Sequence, residues 1–147
     1  MYKRQAYGGQ VEEAELHRTW LAGEPTVAPS PVTQAYTNFL LTSVFVDDYV
    51  VGAAAVLPCY WLYAQTGAQI TRISDEHPYA AWLHTYHDDE FAQATAQALA
   101  IVERAFALAA PQARSRAARA YLTACRHEME FFDQALRVDL DDPGCDE

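Results

Sequence analysis

Apolar side chains recur along this chain at intervals of three and four residues, the spacing that gathers them on one side of an α-helix. Nowhere do they alternate with polar residues as a half-buried strand requires, and no fixed-period repeat is visible. The pattern predicts an all-α fold. A short first helix over 11–22 carries a weak stripe of Val11, Ala14 and Leu21 and stops at Gly23. After a loop containing Pro25 and Pro29, Ser30 as N-cap and Pro31 as first helical residue open a second helix. Val32, Ala35, Tyr36, Phe39, Leu40 and Ser43 fall at helical spacing there, which puts Tyr36 on the buried face, and the helix ends near 45–47.

A long central helix is predicted over 48–67, with a run of small residues at 52–55, a proline at Pro58 and a stop at Gly67. Next comes a connection over 68–76, and His77-Pro78 then begins a short helix whose Tyr79, Trp82, Leu83 and Tyr86 form a nearly all-aromatic face. Asp88, Asp89 and Glu90 sit where the next helix presents its positive end. That helix points Phe91, Ala94, Ala98, Ile101, Val102, Ala105 and Phe106 inward until Pro111 interrupts, and a last helix covers 111–136.

Two places break this regular picture in ways that bear on chemistry. The first is Leu57-Pro58-Cys59-Tyr60-Trp61-Leu62-Tyr63, where a proline inside a helix removes a hydrogen bond and bends the chain beside a thiol. Cys59 and Tyr63 share a face, and back along it lie Ala55 and Gly52, so small that either a neighbouring helix approaches closely or a cavity opens by the sulfur. The second is Glu128, which stands in the middle of the apolar stripe Tyr121, Ala124, Phe131, Phe132 and Ala135. A carboxyl so placed must be hydrogen-bonded, protonated or turned to a polar cavity, and desolvation raises its pKa toward the range useful for giving and taking protons.

Plainer readings stand beside these. Cys59 also fits a small buried hydrophobe, Glu128 a partner for Arg126 or Arg137, and Tyr36, Tyr63 and Tyr86 core aromatics. A di-metal carboxylate site calls for Glu-x-x-His pairs on two helices. That order does not occur, so His84, His87 and His127 read as surface or capping residues and no metal is expected.

The chain has 147 residues, the length of one domain, with 51% hydrophobic and 20% charged positions. One helical domain over 1–138 and an acidic, disordered tail over 139–147 are expected. The net charge of -10 and the scattered Lys and Arg exclude a nucleic-acid partner. No apolar run reaches the ~20 residues of a membrane span, and the polar first ten residues and three unpatterned cysteines, Cys59, Cys125 and Cys145, fit a cytoplasmic protein with reduced thiols.

Three stretches together, 57–63, then His77-Pro78-Tyr79 with Trp82 and Thr85-Tyr86, then Arg126-His127-Glu128 with Phe131, resemble the TenA family, also called thiaminase II or aminopyrimidine aminohydrolase. The likeness runs from about 11 to 136 in order and spacing. It implies a haem-oxygenase-like helical bundle without haem or other cofactor, assembling as a homotetramer. The implied activity is hydrolysis of 4-amino-5-aminomethyl-2-methylpyrimidine to its hydroxymethyl form, or cleavage of thiamin itself, in thiamin salvage. By the same resemblance Cys59 is the nucleophile that adds to the pyrimidine ring, Glu128 handles protons, and Tyr36, Tyr63 and Tyr86 hold the ring and orient the pair. Members of the family begin with further helices, one bearing an aspartate in a Gln-Asp-Tyr setting that grips the ring's amino group. No such segment precedes Val11, and Asp47-Asp48-Tyr49 lies after Tyr36 rather than before it, so that role is carried to neither residue and an N-terminally shortened member is expected. Without the resemblance, the residues fit equally a non-catalytic helical protein that binds a small heteroaromatic ring.

Overall fold

The computed structural model describes residues 14–15, 17–19, 21–23, 28–70 and 72–138, so part of the first predicted helix and the whole acidic tail lie outside the described residues. Within 14–19 the described positions are helical, and Gly23 follows with a φ of 95°, a left-handed conformation suited to glycine. The remaining elements are α1 (Pro31–Phe45), α2 (Tyr49–Val56), α3 (Pro58–Gln69), α4 (Ala80–Thr85), α5 (Asp89–Leu108) and α6 (Pro111–Val138). No strand occurs among the described residues. Ser30 caps α1, its hydroxyl accepting from the Thr33 amide at 3.1 Å, with Pro31 in the first turn. Asp88 caps α5 by accepting from the Glu90 amide at 3.0 Å.

The core is built mainly from small side chains. Ala54 and Ala55 of α2 pack with Val50 and Val51 against Ala113, Ala117 and Ala120 of α6, and Phe39, Leu40, Val102 and Tyr121 close over them. Alanine at a helix crossing lets two backbones approach closely, so α2 lies tight along the first half of α6. Gly52 serves the same end toward α1: a Cβ there would sit 3.0 Å from the Cα of Val44 and 3.1 Å from the carbonyl oxygen of Ser43. Close helix approach, one of the two alternatives posed by the 52–55 run, is seen at Gly52. Helix α1 runs antiparallel to α6. Its start is tied to the end of α6 by hydrogen bonds of Ser30 and Thr33 with Gln134, and the corner after it is tied to the start of α6 by Arg116, which pairs with Asp47 at 3.0 Å and with Asp48.

The single helix expected over 48–67 is two helices. The hydrogen-bond ladder breaks at Leu57, whose φ of -56° and ψ of -38° remain helical, and Pro58 becomes the first residue of α3, where its missing N–H leaves no helical bond unmade. Glycine does not end that helix at 67, because α3 continues to Gln69 and Ile70 caps it by donating to the Gly67 carbonyl at 2.9 Å. Gly67 has another task. A Cβ on it would fall 2.6 Å from the Cβ of Tyr86, so its hydrogen is what lets the α4 corner lie against α3.

The aromatic helix expected from His77 is shorter than its spacing indicates. Residues 77–79 form a turn in which the His77 ring accepts from the Tyr79 amide at 3.1 Å, so Tyr79 is 56% exposed and off the aromatic face. Phe131, Phe132 and Ala135, placed inward by the α6 stripe, are also substantially exposed, because the buried face of α6 beyond Glu128 narrows.

Substituting Gly67→Ala tests the α3–α4 contact. Alanine favours a helix by about 1 kcal/mol over glycine, yet the clash with Tyr86 is expected to leave a net loss of about 1–3 kcal/mol in denaturant unfolding. An unchanged midpoint would show that this contact is not tight.

Candidate active site

Glu128 follows Ala117, Ala120 and Ala124 on the buried face of α6, and the close packing those alanines permit continues around it, leaving it 2% exposed. At such burial a carboxylate requires a strong donor. Its donor is the Tyr36 hydroxyl of α1, at 2.7 Å from Oε1, and Tyr36 is itself only 8% exposed. The same hydroxyl lies 3.1 Å from Sγ of Cys59, in the first turn of α3. A phenol has one proton to donate. With that proton directed to the carboxylate, the thiol is the donor of the second bond, so the chain reads Cys59 S–H to Tyr36 oxygen, Tyr36 O–H to Glu128.

One helical turn further on, the relation repeats with rings. Tyr63 is four residues past Cys59 and Phe132 four past Glu128, a rise of about 6 Å on each helix, and the two rings meet with centroids 5.4 Å apart. Tyr86 packs on Tyr63 at 5.3 Å and takes edge contacts from Trp82 and Phe91 at 5.1 Å each, so an aromatic wall extends from the polar chain toward α4 and α5.

Burial governs the electrostatics. It pushes the Cys59 thiol up to about 12 from an ordinary 9.0; the Tyr36 hydroxyl opposes this because its proton can turn from Glu128 to the sulfur once the thiol ionises, and the carboxylate of Glu128 adds to the rise by repulsion. Burial likewise raises Tyr36, and its bonds to Cys59 and Glu128 act in the same direction. The thiol is therefore neutral at rest. A standing thiolate, the ordinary form of a reactive cysteine, is not what this environment favours.

The structure thus brings Cys59, Tyr36 and Glu128 together directly and sets Tyr63 and Tyr86 one turn away. Neither Arg126 nor Arg137 pairs with Glu128: Arg137 lies 3.7 Å from Asp133, and Arg126 is exposed. His84 and His87 are exposed, and the His87 ring nitrogens lie 3.2 and 2.8 Å from the carbonyl oxygens of Leu83 and Ile70, a capping position. His127 is neither surface nor cap. Its ring stacks on Tyr36, a placement that its position three residues after Ala124 on the buried stripe could have signalled. No group of three or more His, Cys, Asp or Glu side chains arranged for a metal ion occurs among the described residues. Asp47 and Asp48 are held by Arg116, twelve residues and roughly 18 Å along α6 from Glu128. A cavity of about 670 Å³ between the start of α2, the second half of α5 and the start of α6 is lined by none of the five site residues; Val50, Ile101 and Ala113 face it.

The described residues form an all-helical bundle in which a partly buried thiol, a buried phenol and a buried carboxylate share one hydrogen-bonded chain. This chain belongs to the TENA/THI-4/PQQC family, whose model matches residues 23–138, and its helices fit the haem-oxygenase-like fold expected from the sequence. It is 52% identical over 128 residues, 86% of its length, to the thiamine biosynthesis multifunctional protein ThiED of Corynebacterium glutamicum, and covers 17% of that protein. Against ThiED of Corynebacterium efficiens the identity is 55% over 130 residues, covering 85% of this chain and 18% of the relative. The aminopyrimidine aminohydrolase of Bacillus subtilis is 28% identical over 140 residues, 90% of this chain and 59% of the relative. The chain therefore spans less than two thirds of the length of these curated relatives.

Two substitutions separate the forces on the thiol, in protein keeping Cys59 as its one cysteine through Cys125→Ala and Cys145→Ala. Alkylation by iodoacetamide should be slow at neutral pH and climb until pH approaches about 12. Glu128→Gln removes the repulsion and should bring the plateau to lower pH, whereas Tyr36→Phe should push it higher. Because the folded-state pKa lies above the unfolded one, the contribution of Cys59 to stability is complete below pH 9.0 and lost as pH rises toward 12. A plateau near pH 8 to 9 in the parent protein would contradict the burial account.

Proposed function

We propose that this site hydrolyses an aminopyrimidine, replacing the amino group of 4-amino-5-aminomethyl-2-methylpyrimidine by hydroxyl in thiamin salvage, with Cys59 as nucleophile and Glu128 as acid and base. The observation that carries this reading is the hydrogen-bonded chain from a partly buried Cys59 through Tyr36 to Glu128. It solves the problem posed by a neutral thiol. As sulfur bonds to an electron-poor ring carbon, its proton passes to the Tyr36 oxygen and the Tyr36 proton to Glu128, so no free thiolate has to exist beforehand. The protonated Glu128 then returns a proton, through the same hydroxyl, to the amine as the carbon–nitrogen bond of the aminomethyl group breaks. Water adds to the resulting methylene carbon and gives a proton to Glu128, the carbon–sulfur bond breaks with its electron pair going to sulfur, and sulfur takes that proton back through the Tyr36 hydroxyl. The net change is one water consumed and one ammonia released.

Tyr63 and Tyr86 supply flat apolar faces one turn from the sulfur, suited to a planar heteroaromatic ring. Family membership and the likeness to the aminopyrimidine aminohydrolase of Bacillus subtilis support the reaction class. We infer a cytoplasmic homotetramer, as the resemblance implies; the apolar side chains exposed on α6, Leu122, Met129 and Leu136, and at the α1–α2 corner, Phe45, Val46 and Tyr49, support contact with further polypeptide. No described helix is long and apolar enough to cross a membrane.

The test is ammonia release from the aminomethylpyrimidine. Cys59→Ala should abolish turnover while leaving ring binding within about threefold, and Glu128→Gln should lower kcat by about 10²–10⁴. Undiminished hydrolysis by Cys59→Ala would end this reading, and ring binding without turnover in the parent protein would favour a binding protein.

A further inference from the structure

The direction of the Tyr36 hydroxyl decides whether it can serve Cys59 and Glu128 at once, and a phenol turns about its own axis and swings about χ1 unless something holds its faces. Its two polar partners fix the oxygen but not the plane of the ring. Stacked on that ring is His127, centroids 5.2 Å apart and planes within 12° of parallel. His127 also meets Phe39, one turn along α1, at 5.2 Å with a 37° tilt, so its imidazole bears on both aromatics of the inner face of α1.

Hydrogen bonding does not account for the placement of His127. Its Nδ1 is buried and has no hydrogen-bond partner among the described residues, and the nearest carboxylate oxygen, from Glu130, is 3.8 Å away. What it does have is the flat face turned to Tyr36.

We propose that His127 is a positioning residue for the reaction put forward above: its ring face sets the plane of Tyr36 and so aims one hydroxyl at both the thiol and the carboxylate. The stacking geometry, rather than imidazole proton transfer, is the working feature. A flat hydrocarbon ring at 127 should therefore replace it, and a branched side chain of similar bulk should not. In His127→Leu the hydroxyl loses its aim at sulfur and Cys59 loses the partner that stabilises its thiolate.

The test compares His127→Phe and His127→Leu in the protein that keeps only Cys59, with circular dichroism confirming helix content. The first readout is the pH profile of Cys59 alkylation by iodoacetamide, which needs no turnover. His127→Phe should match the parent protein. His127→Leu should move the profile to higher pH, in the direction of Tyr36→Phe, with alkylation slowed at least threefold at pH 9. The second readout is hydrolysis of the aminomethylpyrimidine, where His127→Leu should lose about tenfold or more in kcat with KM within about twofold, and His127→Phe should keep kcat within about threefold. A parent-like alkylation profile in His127→Leu would overturn the proposal, as would alkylation slowed threefold or more at pH 9 in His127→Phe, which remains decisive even if the leucine variant fails to fold. Absence of hydrolysis in the parent would count against the proposed reaction while leaving the alkylation comparison to judge His127.

Discussion

A carboxyl group almost wholly removed from water has to be answered by a donor, and for Glu128 the answer is a single phenolic hydroxyl from another helix. That one bond joins α1 to α6 at the point where α3 delivers a thiol to the same oxygen. Much of the packing can be understood as what it takes to hold three helices there. Ala117, Ala120 and Ala124 let neighbours come close to α6, Gly52 and Ala55 do the same from α2, and the polar ties at Gln134 and Arg116 fasten α1 along α6 at both ends. Between those ties, His127 lies flat on Tyr36.

The same burial shapes the chemistry. Removing water raises the thiol, and the nearby carboxylate raises it further, so Cys59 rests as a neutral donor and not as an exposed thiolate open to any oxidant or electrophile. A hydroxyl with one proton and two partners links the acid to the base in a fixed sense. In the proposed reaction this arrangement keeps the nucleophile dormant until a ring is present to accept the sulfur, and it lets a single carboxyl serve both directions of proton transfer. The aromatic wall of Tyr63, Tyr86 and Phe132 is built by the same two helices, one turn on, which couples ring placement to the position of the sulfur.

Much of this was legible residue by residue. The Ser30-Pro31 start, the acidic opening of α5 and the helical spacing of α1, α5 and α6 marked elements whose bounds lie within a few residues of those observed, because caps and amphipathic periods act over one or two turns. Pro58 marked a bend beside Cys59, which the structure makes a break between two helices, and Glu128 stood out as a charge in an apolar stripe. Less legible were positions whose environment depends on how far a neighbour extends. Tyr79 obeys the aromatic period yet lies in a turn made by a histidine ring, and Phe131, Phe132 and Ala135 obey the α6 period beyond the place where other helices cover it.

By itself, then, the sequence determined which segments are helical, which face of each is apolar, and that a thiol and a carboxyl interrupt two of those faces, since all of these follow from interactions within a few residues. Only the tertiary structure decided that Tyr36 bridges the two, that His127 lies on its ring, and that Arg116 takes up Asp47 and Asp48 far from Glu128. Those pairings join residues from 23 to 92 positions apart, and they depend on the register in which close-packed helices settle against one another, a property of the assembled bundle that no single helix carries.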